Sequence, residues 1–181
     1  MNADRRKKNI LELTLMTPGE YRRASKLPLI VVADSVRSLH NVGALFRIAD
    51  VFRYHGIILG GISGTPHHPE LHKTALGAED TVEWRHEPDT LAAVEELKRQ
   101  GWLICVLEQT LGSVPLHRYT MPPKGTPMAL VVGNEVSGVD QRIADIADVV
   151  LEIPQQGTKH SLNVSVSAGM AMWELAKPYL P

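Results

Sequence analysis

The alternation of short apolar runs with segments of helical periodicity restricts the fold of this chain more than any other feature. Five apolar runs predict buried strands, at 29–33, 56–60, 102–107, 128–132 and 149–151. The segments between most of them carry one apolar face each, which predicts helices. Strands that alternate with helices form a parallel sheet with helices on both faces. We therefore predict one α/β domain of this kind.

The helices are predicted from their start signals and apolar faces. The first begins at Thr17-Pro18-Gly19-Glu20, a capping box with proline at the first helical position, and should end near Lys26. Ser161 is the expected N-cap of the last helix. Its predicted apolar face consists of Val164, Ala168, Ala171, Met172 and Leu175. Other helices are predicted at 41–54, 70–76, 88–100 and 141–146, a weaker strand at 81–84 and a loop at 108–126.

The length of 181 residues corresponds to one domain. We expect residues 1–26 to form a basic N-terminal arm with a short helix, and residues 27–181 to form the domain. Cys105, the single cysteine, lies in an apolar run, which predicts a buried thiol and excludes a disulfide framework or a cysteine zinc site. No apolar run has the length of a membrane span, and the charged N-terminus does not resemble a signal peptide, so we expect a cytoplasmic protein.

Basic residues are concentrated at the N-terminus, although the net charge of the chain is only −1. Seven basic residues precede Leu27, against three acidic ones. They are Arg5, Arg6, Lys7, Lys8, Arg22, Arg23 and Lys26. This end of the chain is either a contact surface for phosphate groups or a solvated helix surface. A short apolar patch within it, Ile10, Leu11, Leu13 and Leu15, suggests packing on a partner chain.

Polar segments follow three of the predicted strands, at 41–47, 133–138 and 157–163. Parallel sheets present ligands at the carboxyl ends of their strands, so a shared site is expected there. Free N–H groups at the start of the last helix favour the same place. The polar residues Ser161, Asn163, Ser165 and Ser167 have two interpretations, a ligand site or close packing against another helix.

Other motifs are less convincing. The glycines at 60–64 are not followed by a helix start, and 157–159 lacks the Gly-Lys-Ser/Thr of a phosphate loop. His67, His68 and His72 have spacing suited to a metal, but Pro69 stands where a zinc-protease helix carries its glutamate. We expect no metal site. Glu79 and Asp80 are interpreted as solvated surface.

The three polar segments resemble the motifs of the SpoU (TrmH) family in the SPOUT superfamily, whose members are RNA ribose 2′-O-methyltransferases. The matching stretches are LHNVGALFRIAD at 39–50, LVVGNEVSGV at 130–139 and IPQQGTKHSLNVSV at 153–166. They occur in the order of the family, and the resemblance extends over roughly 29–175. It implies a parallel-sheet domain with a C-terminal deep trefoil knot, and a homodimer with its active site at the interface.

The resemblance also implies a cofactor, S-adenosylmethionine, held largely by main chain where glycine permits close approach. The residues implied for its binding are Leu107, Glu108, Gly133, Asn134, Ile153, Ser161, Leu162 and Asn163. The family's catalytic arginine corresponds to Arg47. A guanidinium stays protonated in proteins, so we interpret Arg47 as a phosphate clamp, with action as a base through that phosphate as the alternative. Asn41, Glu135, Ser161 and Asn163 are the implied polar frame of the catalytic site.

Two further functions compete with ribose methylation. A non-catalytic RNA-binding module of the same fold is disfavoured because Arg47 and Asn163 are both present, and a base-nitrogen methyltransferase is disfavoured by the motif at 41–47. Many relatives carry a separate RNA-binding domain for which 181 residues leave no room, so RNA capture is expected to depend on the N-terminal arm or the dimer surface. Either tRNA or rRNA is the expected partner, and the compact chain favours tRNA.

Overall fold

The structure, a computed structural model, describes residues 5–9, 12–13 and 15–180. Its centre is a seven-stranded sheet in which every neighbouring pair is parallel, in the order β3-β2-β1-β6-β4-β7-β5. The strands are β1 Leu27–Asp34, β2 Tyr54–Gly60, β3 Trp84–Glu87, β4 Leu103–Leu107, β5 Val114–Pro115, β6 Met128–Val132 and β7 Val149–Glu152. Ile10 and Leu11 of the predicted apolar patch lie outside the described residues.

Helices pack on both faces of this sheet, as predicted. They are α1 Pro18–Arg23, α2 Leu39–Phe52, α3 Pro69–Ala75, α4 Thr90–Arg99, α5 Gln141–Asp145 and α6 Val164–Ala176. Alternate residues of β1 enter two separate apolar cores: Val31 packs with residues of α2 and α6, and Val32 packs with residues of α4 and α5. Tyr21 of α1 is buried in the first of these cores. Within the described residues, no helix is both long enough and apolar enough to cross a membrane.

The predicted strands at 29–33, 56–60, 102–107, 128–132 and 149–151 all exist, and their apolar residues make the core. Cys105 is fully buried, as predicted. The strand predicted at 81–84 is wrong, because β3 begins only at Trp84. β3 lies at the edge of the sheet and is partly exposed, so it has no apolar run to mark it. The segment 108–126 is not all loop, since it contains β5 and a short 3₁₀ turn at 116–118.

Two helix ends differ from the prediction. The capping box at Thr17 is present, but α1 ends at Arg23 instead of near Lys26, whose ammonium group donates to the carbonyl of Tyr21. The N-cap of α6 is Asn163 and not Ser161. The Asn163 side-chain oxygen accepts hydrogen bonds from the N–H groups of Ser165 and Val166, which a serine two residues earlier cannot reach. The predicted apolar face of α6 points into the core.

Glu79 is buried, with 8 % of its surface exposed, so its interpretation as solvated surface was wrong. Its carboxylate accepts a hydrogen bond from the N–H of Gly77 and bonds to Nδ1 of His72. These bonds close the turn after α3, and they satisfy the polar atoms of a carboxyl group in the interior. Asp80 is exposed, as predicted. Among the described residues, no group of histidine, cysteine and acidic side chains is arranged to hold a metal ion.

Candidate active site

Four loops meet at the edge formed by the carboxyl ends of the strands. They follow β1, β6, β4 and β7, which are consecutive neighbours in the sheet, and cover 35–38, 133–138, 108–113 and 153–163. Three of these loops line a pocket of about 710 Å³. The predicted cofactor residues are all among its lining: Leu107, Glu108, Gly133, Asn134, Ile153, Ser161, Leu162 and Asn163. The loop after β1 and the start of α2 support its wall.

A chain of hydrogen bonds joins the three polar motifs. Asn41, buried near the start of α2, donates from Nδ2 to Oε1 of Glu135 at 3.0 Å. Asn41 Oδ1 in turn accepts a hydrogen bond from Nδ2 of Asn163 at 3.1 Å. Asn163 uses its own oxygen to cap α6, so its amide orientation is fixed from both sides. One buried carboxamide therefore holds the second and third motifs in a defined relation.

Glu135 is held as an anion by its hydrogen bonds. Partial burial raises its pKa, but the hydrogen bond from Asn41 and those from backbone N–H groups bring the pKa below its ordinary value. Two of these donors are the backbone N–H groups of Ser38, at 3.0 Å, and Arg37, at 3.2 Å. A carboxylate is needed here because it accepts two bonds from the loop after β1 and a third from Asn41 of α2. The same bonds fix the entry into α2.

The turn at 133–138 requires glycine at both ends. A Cβ on Gly133 would lie 2.2 Å from the Gly138 carbonyl carbon, and Gly138 itself has φ +71°. Asn134 closes the turn, because its side-chain oxygen accepts from the N–H groups of Val136 and Ser137. Its Nδ2 donates to the carbonyl of Ser35 at 2.8 Å. The side chain of Asn134 thus ties two loops together, and its backbone N–H and carbonyl bond to Gly138 across the turn.

Glu108 and Ser161 differ in how firmly they are held. Glu108 accepts hydrogen bonds from the backbone N–H groups of Gln109 and Val139, so its carboxylate is fixed against the turn after β6. Ser161 is exposed at the pocket, and its hydroxyl makes no hydrogen bond within the described part of the chain. A free hydroxyl at this position remains able to bond to a ligand.

Arg47 is not brought to this pocket within one chain. It lies six residues after Asn41, or about 9 Å along the axis of α2, on a different face of the helix. Its side chain is exposed and borders a separate groove with Lys73 of α3. In the part of the chain that the structure describes, no hydrogen bond or ion pair holds its guanidinium. The polar frame of Asn41, Glu135 and Asn163 therefore does not orient Arg47 in the same protomer.

The sequence did not single out several residues that shape the pocket. Gln109 donates from Nε2 to the carbonyl of His160 at 3.0 Å, which links the loops after β4 and β7. Ser63 is buried, accepts from the N–H of Val36 and donates to the carbonyl of Ala33, so it supports the loop after β1. Both lie in irregular segments without periodicity. The one sequence feature that could have indicated their role is their position just after the ends of predicted strands.

Comparison with known protein families shows which family this chain belongs to. The model of the SpoU rRNA Methylase family matches residues 28–173, which include all three motifs and the whole sheet except Leu27. The chain belongs to the SpoU rRNA methylase family. The prediction from the motifs is thereby confirmed, and the pocket described above lies entirely within the matched SpoU region.

Curated SpoU relatives act on two kinds of RNA. The chain is 36 % identical over 155 residues to the 23S rRNA (guanosine-2′-O-)-methyltransferase RlmB of Nitrosomonas europaea, with 81 % of this chain and 55 % of the relative covered. It is 31 % identical over 164 residues to the mouse tRNA (guanosine(18)-2′-O)-methyltransferase TARBP1, with 87 % of this chain and 10 % of the relative covered. This chain thus spans little more than half the length of the RlmB relative, and a tenth of TARBP1.

Solved structures of the family share this fold. An AdoMet-bound rRNA methyltransferase from Sinorhizobium meliloti matches with a TM-score of 0.79 and 26 % identity, covering 89 % of this chain and 61 % of the other. The TrmH/SpoU tRNA modifying enzyme of A. aeolicus matches with a TM-score of 0.73 and 29 % identity, covering 87 % and 77 %. The sheet and its helices are therefore those of SpoU proteins.

Proposed function

We propose that this chain is an S-adenosylmethionine-dependent RNA methyltransferase that methylates a ribose 2′-hydroxyl group. The observation that carries the proposal is the hydrogen-bonded chain Glu135–Asn41–Asn163, which fixes the three family motifs around one pocket. A module that only bound RNA through its surface would not need a buried carboxamide holding two motifs in register. The names of the rRNA and tRNA methyltransferase relatives support the same reaction.

The pocket fits S-adenosylmethionine, the ligand of the Sinorhizobium structure. Gly133 and Gly138 let the turn that lines this pocket close tightly, because a Cβ there would clash with the backbone at 138–139 and with the Glu108 carboxylate. Leu107, Ile153 and Leu162 offer apolar contacts, and the free hydroxyl of Ser161 offers a polar one. When bound, the cofactor supplies a methyl group on a sulfonium, which is open to in-line displacement.

The tasks left to the protein are positioning and charge stabilisation. The attacking ribose hydroxyl gives its proton to solvent water as its oxygen bonds to the methyl carbon and the sulfur–methyl bond breaks. A guanidinium beside the adjacent phosphate stabilises the developing alkoxide. Arg47 performs this role as a clamp, because it remains protonated and binds phosphate with two parallel donors. We expect Arg47→Lys to lower kcat by at least about 10-fold, since an ammonium group keeps the charge but loses the fork. Near-normal turnover of Arg47→Lys would contradict the clamp.

A homodimer explains the distance between Arg47 and the pocket. Val166, Met170 and Trp173 form an exposed apolar stripe along α6, at 48 %, 46 % and 48 % exposure, and Trp173 packs against Phe52 of α2. Exposed apolar faces of this kind mark interfaces. A second copy seated on α2 and α6 would cover the stripe and bring the partner's Arg47 towards the pocket. The active site is then shared between the two protomers.

We also propose the family's knot for residues after β7. β7 lies between β4 and β5, which the loop at 108–113 connects, so the chain enters the sheet beneath that loop. The hydrogen bond from Gln109 to the carbonyl of His160 marks where the two segments meet. Threading of 153–180 through this loop would form the knot. Both segments also line the cofactor pocket, together with the turn at 133–138, so a knot here would help to shape the pocket.

The substrate is proposed to be a guanosine ribose in rRNA or tRNA of the cytoplasm, since both named relatives are guanosine methyltransferases. RNA capture is assigned to the dimer surface and to the basic end of the chain. Arg22 of α1 donates to the carbonyl of Asp80, while Arg23 and Arg53 are available to phosphates nearby. Phosphate contacts of this kind position RNA without reading its sequence.

The decisive experiment is methyl transfer from labelled S-adenosylmethionine to in vitro-transcribed 23S rRNA and, separately, to transcribed tRNAs. Digested products are analysed for 2′-O-methylguanosine. Label in one RNA is the expected result and assigns the substrate class. If the chain binds the cofactor but transfers no label, a non-catalytic RNA-binding module is favoured. Label on a base nitrogen favours a base-nitrogen methyltransferase. Absence of cofactor binding overturns the proposal.

A further inference from the structure

A groove of about 400 Å³ between α2 and α3 carries two cations and an apolar floor. Arg47 of α2 and Lys73 of α3 border it from different helices. Among the described residues that line the groove there is no acidic side chain. The other lining residues are Ala44, Ile48, Val51, Phe52 and Thr74. This groove is separate from the cofactor pocket, with which it shares no lining residue.

The helix that carries Lys73 is fixed against α2. Gly43 lets the two helices approach so closely that a Cβ there would lie 2.5 Å from the carbonyl oxygen of Leu71. Thr74 donates its hydroxyl hydrogen to the carbonyl of His40 at 3.1 Å. The backbone positions of Arg47 and Lys73 are therefore fixed relative to each other, and both side chains border the same groove.

Glu70 neutralises Lys73 in the absence of a ligand. Lys73 Nζ lies 2.6 Å from Glu70 Oε1, with the side chains 63 % and 42 % exposed. The hydrogen bond and the charge of Lys73 lower the pKa of Glu70, which is therefore ionised at neutral pH. An ion pair this exposed is weak, so a phosphate group can take the place of the carboxylate.

We propose that Lys73 is a second contact for the RNA backbone beside Arg47, and that Glu70 competes with the phosphate for its ammonium group. The inference rests on the proposed function, because it takes RNA as the substrate. It assigns to α3 a positioning role that none of the three motifs contains. The ion pair then reduces the affinity for RNA, and a variant without Glu70 should bind RNA more tightly than the natural protein.

The test compares Lys73→Gln, Glu70→Gln and the double variant in the full chain. Filter binding of radiolabelled 23S rRNA and tRNA transcripts gives Kd over a range of salt concentrations, and steady-state methylation gives KM and kcat. For Lys73→Gln we expect Kd and KM to rise about 3- to 10-fold and the salt slope to fall by roughly 0.7–0.9, with kcat little changed. Glu70→Gln should lower Kd about 2- to 5-fold, and this gain should vanish in the double variant.

Lys177 and Glu174 provide a matched control. They form an ion pair with the same i, i+3 spacing at 2.7 Å, at the end of α6 and away from the groove. Lys177→Gln and Glu174→Gln should leave Kd and the salt slope unchanged. Two results would overturn this inference alone, provided that the wild type is active. One is an unaltered Kd in Lys73→Gln, and the other is a gain in RNA affinity from Glu70→Gln that persists in the double variant. A wild type that neither binds nor methylates either RNA overturns the proposed function with it.

Discussion

Asn41 carries the organisation of the site at the scale of single residues. It is buried, donates to Glu135 and accepts from Asn163, so its loss leaves two polar groups without their partner. We expect Asn41→Ala to lower kcat/KM about 10- to 100-fold, equivalent to about 1.4–2.8 kcal/mol. The measurement is steady-state methylation, with cofactor affinity from calorimetry.

Gln100→Ala is the control for this substitution, because Gln100 is the exposed C-cap of α4 and its side chain bonds to Glu96 on the surface. It should have full activity. If Asn41→Ala proves as active as Gln100→Ala, the hydrogen-bonded chain does not organise the site.

Glu135 makes the site sensitive to acid. Its pKa in the folded protein lies below the ordinary 4.5, so the ionised carboxylate favours the folded state above that pH. This contribution is fully present at neutral pH and is lost as the pH falls through the folded pKa. The free energy of unfolding should therefore differ between wild type and Glu135→Gln near pH 7, and the difference should shrink below about pH 4.5. A difference that stays constant down to about pH 3 would refute this role.

Gly43 determines how closely two helices pack, which is a property at the scale of elements. A methyl group there meets Thr74 Oγ1 at 2.1 Å and backbone atoms of α3. We expect Gly43→Ala to destabilise the fold by about 1–3 kcal/mol despite the better helix propensity of alanine. Chemical denaturation of the wild type and the variant measures this change.

Gly19→Ala serves as the comparison, since Gly19 is also helical but its Cβ would approach only the flexible end of Arg23, at 3.6 Å. It should be neutral or slightly stabilising. If the two substitutions changed the free energy of unfolding equally, α3 would be able to move away from α2 at little cost. The position of Lys73 relative to Arg47 would then not be fixed.

Element prediction succeeded where burial leaves a mark in the sequence. β6 begins and ends where its apolar run does, because all five residues are buried. β3 was misplaced since an edge strand needs no such run, and β5 has only two residues. The sequence predicted Ser161 instead of Asn163 as the N-cap of α6, because both residue types cap helices equally well. Only the fold shows which of them lies at the first turn.

The site was predicted in part, for a related reason. The resemblance to the SpoU family implied the pocket residues, and the parallel sheet explains why distant segments meet. Nothing in the spacing revealed that Arg47 borders a different groove, or that Glu79 is buried against His72. Those facts depend on how α2 and α3 pack against each other. Such packing between helices cannot be read from short sequence patterns.

Dimerisation is the prediction at the scale of the whole molecule. Trp173→Glu places a charge at the C-terminal end of the apolar stripe on α6, and we expect it to yield a monomer. Because the active site is proposed to be shared, methylation should fall at least about 100-fold while cofactor binding persists. Analytical ultracentrifugation and the methylation assay measure the two effects.

Ile62→Glu is the matched change, since Ile62 is 68 % exposed in the loop after β2 and lies outside the stripe. It should remain dimeric and active. A fully active Trp173→Glu monomer would show that one chain contains the complete site.

The order of the strands also has a consequence during synthesis of the chain. β1 pairs with β2 soon after both emerge, but its other neighbour is β6, with Leu29 opposite Met128, about 100 residues later. At about 5–20 residues per second, one edge of an apolar central strand stays unpaired for roughly 5–20 s on the ribosome. β7 is made later still and enters between strands already present. The nascent chain is therefore most prone to aggregation before β6 is complete, and ribosome-bound chains truncated before residue 128 should be the ones that associate.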